Sequence, residues 1–285
     1  MTWWCAARDV AWTWHWQPYP GVWLFMLALV GGYIWMVRRM APKAAPPGRP
    51  PVSRRQWVWF GIGALALWAA TDWPIGALGS GYLLSVHTIQ WILYTLVAPP
   101  LLLLGVPDWL PLATREGSVA RRLLRVLALP VVALIITDAI LLTSHVPAVV
   151  DGFRRTQAGS FLIDMAWLAG GLVMWWPILA PNPMISRVSP PWQIGYLFFA
   201  TVVPTVPAAF LTFADFPVYA LYELAPRVHG IPAGADQQVA GLLMKAVADP
   251  ILWLAMGILF FQWSRREAAT DREERDRQRV NSPVA

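Results

Sequence analysis

The sequence predicts an all-α polytopic integral membrane protein, a bundle of seven transmembrane helices, and three observations predict it. Of 285 residues, 57% are hydrophobic and only 13% charged, with a mean hydropathy of +0.49. An ordinary soluble domain carries about 25% charge, so this chain lacks the polar surface of one. The apolar residues gather in runs approaching the roughly 20 residues that a bilayer helix needs. These runs are continuously apolar and do not alternate, which argues against a transmembrane β-barrel. Lysine and arginine gather in alternate connections between the runs, as the positive-inside rule requires of a multi-pass protein.

Residues 1–19 precede the first run. The stretch "MTWWCAARDVAWTWHWQPYP" lacks the basic start, apolar middle and small-residue cleavage site of a signal peptide and reads as an interfacial lead-in rich in tryptophan. The seven spans fall at Pro20–Val37, Trp57–Thr71, Tyr82–Leu104, Leu124–Thr143, Phe161–Ala180, Trp192–Ala214 and Val239–Trp263. Between the first two, "APKAAPPGRPPVSRR" is too rich in proline for a continuous helix. The second span is short unless it runs on through "DWPIGALGSG". Pro99 and Pro100 are expected to break or end the third helix, and Pro204 and Pro207 to distort the sixth. The stretch "SRREAATDREERDRQRV" forms a charged tail. The domain organisation is therefore an interfacial segment (1–19), one transmembrane domain (20–263) and a charged cytoplasmic tail (264–285).

Seventeen lysines and arginines lie on one side: in Arg38–Gln56, after span three, at Arg187 and in the tail. Arg8, Arg154, Arg155 and Arg227 lie on the other, which puts the N-terminus outside and the C-terminus in the cytoplasm. The net charge of +6 thus reads as a topology signal and a contact with anionic membrane lipids, not as a nucleic-acid surface. Cys5 is the single cysteine and excludes an internal disulfide.

This topology places all four histidines, His15, His87, His145 and His229, toward the outer half. Asp72, Asp164, Asp236 and Gln237 lie at span ends on the same side. Gln90 follows His87 by three residues and shares its helix face, and Asp138 lies two turns before His145. Met244, Lys245 and Asp249 are in span seven, the last two at i,i+4. Ionisable groups inside spans face a bundle interior or a polar cavity. Each has a plain structural alternative: headgroup contact for the histidines, an N-cap for Asp236, and packing ion pairs for Asp138, Lys245 and Asp249. Imidazole nitrogen suits copper or zinc, and thioether sulfur suits cuprous ion. No HxxxH, CxxC, HExxH, GxSxG or phosphate-binding glycine loop occurs.

Five segments, in this order, resemble the CtaG family of cytochrome c oxidase assembly factors: "WTWHWQPYPGVWLFMLALVGGYIWMVRR", "LLSVHTIQWILYTLVAPPLLLLGVP", "SHVPAVVDG", "GGLVMWWPILAPNP" and "DQQVAGLLM". The resemblance spans about Trp12 to Trp263. It implies a seven-helix protein of the bacterial inner membrane that helps to mature cytochrome c oxidase around its copper, without enzymatic activity of its own. It further implies partners among the oxidase subunits or a copper chaperone, and copper as the associated metal. Residue by residue, His87 and Gln90 match the span-three signature and His145 the histidine closing span four. Asp236, Gln237 and Met244 match the start of the last span. The chain departs from the pattern at Trp91 and Asp164, where the family carries histidines, and at Lys245, where it carries tryptophan.

The leading reading makes His87 and His145 the metal ligands, with Asp72, Gln90, Asp138, Asp164, Asp236, Gln237, Met244, Lys245 and Asp249 in support. A polytopic transporter using Asp138, Lys245 and Asp249 is the alternative, as is a metal-free scaffold subunit of a respiratory complex. A retinal photoreceptor is disfavoured, because span three offers no carboxylate as a counter-ion to Lys245.

Overall fold

The computed structural model describes residues 2–48, 50–180 and 188–281, and every described element is helical. Arg49, Arg187, the Pro181–Pro183 end of the fifth-span motif and the last four residues of the tail lie outside the described residues. The elements in order are α1 (Pro20–Ala44), α2 (Arg54–Thr71), α3 (Ile75–Gly81), α4 (Leu84–Ile92), α5 (Ala98–Gly105), α6 (Trp109–Leu112), α7 (Val119–Leu127) and α8 (Pro130–Ser144). They continue as α9 (Pro147–Phe153), α10 (Gln157–Leu179), α11 (Pro190–Val202), α12 (Thr205–Phe213), α13 (Ala220–Leu224), α14 (Ala233–Leu243) and α15 (Asp249–Asn281).

Among the described residues, five helices are long and apolar enough to cross a membrane: α1, α4 with α5, α10, α11 with α12, and α14 with α15. A sixth results if α7 and α8, bent by 84°, count as one span. The bend sits where Pro130 cannot donate to the preceding turn and forces Leu129 into an extended conformation. The apolar run from Leu124 is therefore two helices, of which α8 holds 15 residues. The α2 helix opens on Arg54, Arg55 and Gln56, with Ser53 and Gln56 forming a capping box, so its apolar part is shorter than the helix. It stops at Asp72, and α3 resumes the run after Trp73 and Pro74.

The double proline does not end the third span. A π-helical turn, Leu93–Val97, widens the helix just before Pro99 and Pro100, and α5 continues to Gly105. A proline leaves the carbonyl four residues earlier without its helical donor. For Pro99 that carbonyl is Thr95, and the Trp175 indole from α10 donates to it at 3.1 Å. A second π-helical turn, Met244–Ala248, lies just before Pro250 in the last span. The sixth span breaks at Pro204, as the sequence leads one to expect.

The buried centre is formed by α4–α5 and α10. The α2 helix packs on α5, α8 on α10, α14 on α4 and α12, and α15 on α11. Gly105 lets α2 approach α5 closely: a Cβ there would lie 2.5 Å from the Phe60 Cβ.

Candidate functional site

The polar residues flagged in the sequence fall into two layers and a lateral edge. The first layer surrounds His87. This histidine starts its helix near the α3–α4 corner and is 5% exposed. Its ring meets Trp167 edge-on at 4.8 Å and Tyr222 at 5.6 Å. Its Nδ1 is buried without a hydrogen-bond partner. The Tyr222 hydroxyl donates to the Gly79 carbonyl at 2.5 Å, and burial raises its pKa, so it remains a donor at neutral pH. Gln90 is wholly buried and donates to the Ala70 carbonyl at 2.8 Å, tying α4 to the end of α2.

The carboxylates of this layer are held by the fold. Asp72 accepts from the Trp23 indole at 3.0 Å, the Trp68 indole at 2.8 Å and the Trp73 amide at 2.8 Å. Asp236 sits in the first turn of α14 but caps a different helix. It accepts from the Leu84 amide at 2.6 Å, from the Ser85 amide at 3.3 Å and from the Ser85 hydroxyl, satisfying the free donors at the start of α4. Gln237 beside it accepts from the Val218 amide at 2.7 Å and donates to the Phe216 carbonyl at 3.2 Å, pinning the loop before α13. Asp164, at the position where the resemblance leads one to expect a histidine, forms an ion pair with Arg154 at 2.8 Å and accepts from the Trp4 indole at 2.8 Å. All three of these residues are buried. Arg154 also lies over the Trp167 ring, 4.9 Å from its centroid, and so shares with His87 one aromatic neighbour.

The second layer lies deeper. A cavity of about 30 Å³ between α4, α8, α10, α11 and α15 is walled by Trp91, Thr95, Thr137, Asp138, Trp167 and Asp249, among others. That volume admits one or two waters. Asp249 pairs with Lys245 at i,i+4, and Lys245 also donates to the Thr205 hydroxyl at 2.8 Å. Both π-helical turns reach the cavity wall, through Thr95 and Leu96 on one side and Ala248 on the other. Met244, the first residue of the second turn, is buried.

His145 marks the lateral edge, as the C-cap of α8. Its Nδ1 lies 2.8 Å from the Leu141 carbonyl, and its own carbonyl accepts from the Tyr219 hydroxyl at 3.1 Å. The ring faces Trp91 at 6.2 Å and lines an apolar groove of about 300 Å³ with Leu142, Val206, Phe210 and Tyr219. His87 thus meets Trp167 and His145 meets Trp91, and the two indoles share one cavity wall. Among the described residues, no group of three or more His, Cys, Asp and Glu side chains stands ready to hold a metal ion.

Sequence reading missed Arg154 and Trp4. Arg154 is one of two adjacent arginines counted only as a topology signal, yet its side chain is fully buried while Arg155 is exposed. No local signal separates the two. Trp4 lies in the lead-in and reaches the core only because the chain folds back over α10. His229 occupies an ordinary loop with a left-handed backbone, stacked on Trp14 at 6.3 Å.

A family model described as cytochrome c oxidase caa3 assembly factor (Caa3_CtaG) matches residues 31–266. No curated protein and no solved structure matches the chain.

Proposed function

The chain belongs to the CtaG family of cytochrome c oxidase caa3 assembly factors, which serve assembly and not catalysis, and from that membership we propose that it assists copper-centre maturation at the outer side of a bacterial inner membrane. In this reading the bundle crosses the membrane seven times, with the arginine-rich linker and the tail in the cytoplasm. Its partners are oxidase subunits or a copper chaperone. Copper is cargo rather than a resident cofactor, and His87 and His145 are the residues that meet it.

The observation that carries the site assignment is the unpartnered Nδ1 of the buried His87. A buried nitrogen without a partner is uncommon and is free to accept a ligand bond. His145 spends one nitrogen on the Leu141 carbonyl and keeps the other. Two imidazoles without a third donor suit a brief contact with cuprous ion better than a permanent cage. Trp91 and Asp164 stand where the family's further histidines are expected, in keeping with transient contact. The remaining named residues hold the frame: Asp236 caps α4, Gln90 ties α4 to α2, and Asp72 and Gln237 fix the adjoining corners.

The test is an equilibrium titration of the purified protein with cuprous ion under reducing conditions, read as copper bound per chain. With the protein kept at equilibrium with free cuprous ion, wild type is expected to bind copper, and His87→Ala and His145→Ala each to lose most of it. Equal, negligible copper in all three sinks the ligand assignment and leaves a metal-free assembly role. Deletion in a host that makes a caa3-type oxidase is expected to lower oxidase activity, with partial rescue by added copper.

The cavity between Asp138 and Asp249 favours a second reading, a polytopic transporter with an ionisable path at membrane depth. Flux into liposomes that disappears in Asp138→Asn would support it. A scaffold role predicts instead copurification with mature oxidase and no binding to immature subunits.

A further inference from the structure

Residues 2–8 adopt no regular secondary structure, yet they are tied to the bundle by several hydrogen bonds. The Gln157 side-chain carbonyl accepts from the amides of Trp3 at 2.6 Å and Trp4 at 3.3 Å, and the Trp3 carbonyl accepts from Gly21 at 2.9 Å. The Ala7 amide donates to the Arg154 carbonyl at 2.9 Å, and the Cys5 thiol to the Thr71 carbonyl at 3.3 Å. Trp4 is 1% exposed and is walled by Phe161 at 5.0 Å and Phe25 at 5.9 Å. The seat is cut to the strap: a Cβ on Gly76 would lie 2.9 Å from the Cys5 sulfur, and one on Gly81 only 2.4 Å from the Ala7 Cα. The family match begins at residue 31, so this segment lies outside it.

What the segment covers is under electrostatic stress. Arg154 is 0% exposed, and apart from the ion pair with Asp164 its Nε and Nη1 have no hydrogen-bond partner. Burying guanidinium donors without acceptors is unfavourable, and water reaching them would relieve it. Apolar packing of Trp4 and the indole bond to Asp164 favour the covered state. Cys5 is a free thiol, so no disulfide ties the segment down.

We propose that residues 2–8 are a displaceable strap: seated, it seals the Arg154–Asp164 pair from water, and withdrawn, it exposes that pair while the helices stay packed. The inference goes beyond the copper reading and stands without it. Trp4 is the latch, since it contributes both the largest buried side chain of the strap and the hydrogen bond to Asp164.

Cys5 is a native reporter. It is 2% exposed, and burial pushes its thiol pKa up, so seated it is both shielded and protonated, whereas the thiolate is the reacting form. The experiment follows modification by a membrane-impermeant maleimide in the full-length protein in lipid nanodiscs. A second reporter, Ser144→Cys in a Cys5→Ser background, reads the opening of the bundle itself, because Ser144 is buried against Trp167. Cys5 in the wild type is expected to react at least about tenfold faster than the Ser144→Cys reporter, as local opening outpaces global opening. Trp4→Ala is expected to raise the Cys5 rate a further tenfold or so by removing a buried aromatic side chain, and to leave the Ser144→Cys rate unchanged. Gly81→Val, which pushes on Ala7 and leaves the Trp4 seat intact, is expected to do the same. Equal rates at the two reporters in the wild type overturn the proposal without need of a strap variant. So does a Cys5 rate indifferent to both variants, or one that rises only in step with the Ser144→Cys rate.

Discussion

Asp236 began as a candidate metal-supporting carboxylate or a cap for its own helix, and its geometry makes it the cap of another. Leu83 precedes α4 and has no side-chain acceptor, so the free amides of Leu84 and Ser85 turn to a carboxylate 151 or 152 residues away in sequence. Asp236→Ala is therefore expected to lower stability by about 1–2 kcal/mol, the usual range for a lost N-cap, and Asp236→Asn by less, since an acceptor remains. A denaturation midpoint in detergent micelles checks both. Arg154 gives a sharper case. Arg154→Met strands Asp164 as a lone buried charge and is expected to cost about 3–5 kcal/mol, whereas the double change Arg154→Met, Asp164→Leu recovers most of that loss. Recovery would be absent if the pair were solvent-linked. Residue types and spacing made His87, Gln90, Lys245 and Asp249 legible. Long-range partners were not, because contacts between residues 10 apart, as in Arg154–Asp164, or 160 apart, as in Trp4–Asp164, leave no periodic trace.

At the scale of elements, proline positions were legible and their consequences were not. Pro130 and Pro204 interrupt helices, as local sterics require. Pro99 and Pro100 do not, because the Leu93–Val97 turn takes up the misfit and Trp175 from another helix satisfies the Thr95 carbonyl. Several tryptophans that composition alone assigns to the headgroup layer act this way inside the bundle: Trp176 donates to the Leu124 carbonyl and Trp109 to the Pro51 carbonyl, each at 2.8 Å. Trp175→Phe keeps the packing and removes the donor. It is expected to destabilise the third span by about 1–3 kcal/mol, the cost of an unsatisfied buried carbonyl, with faster hydrogen exchange confined to the amides of that span. Close helix approach gives a second element-scale expectation. Gly105→Ala brings a Cβ within 2.7 Å of the Phe60 backbone nitrogen, so α2 and α5 must separate, at about 1–3 kcal/mol. Phe60→Ala is expected to rescue it only in part, because the obstacle includes the backbone.

For the whole molecule, the testable quantity is sidedness. With Cys5→Ser as background, reporters at Lys43→Cys in the last turn of α1 and Glu267→Cys in the tail are expected to resist a membrane-impermeant maleimide in intact cells, while Arg227→Cys reacts. The reverse pattern inverts the bundle and removes the outer-side copper reading with it. The expected sidedness rests on charge placement alone, which the positive-inside rule reads along the chain. The convergence of Asp236, Gln90 and Tyr222 around the α3–α4 corner follows instead from tertiary packing.

By itself the sequence determined that this protein is helical and built for a bilayer, where its apolar runs lie, and to which assembly-factor family it belongs. Hydrophobic burial and charge exclusion act on composition along the chain, and composition is what a sequence displays. Only the tertiary structure decided that Arg154 is buried and Arg155 exposed, that Trp4 folds back to meet Asp164, and that the double proline is carried through an unbroken span. Those outcomes depend on which donor meets which acceptor across the bundle, and a buried polar group is tolerated only where such a partner arrives.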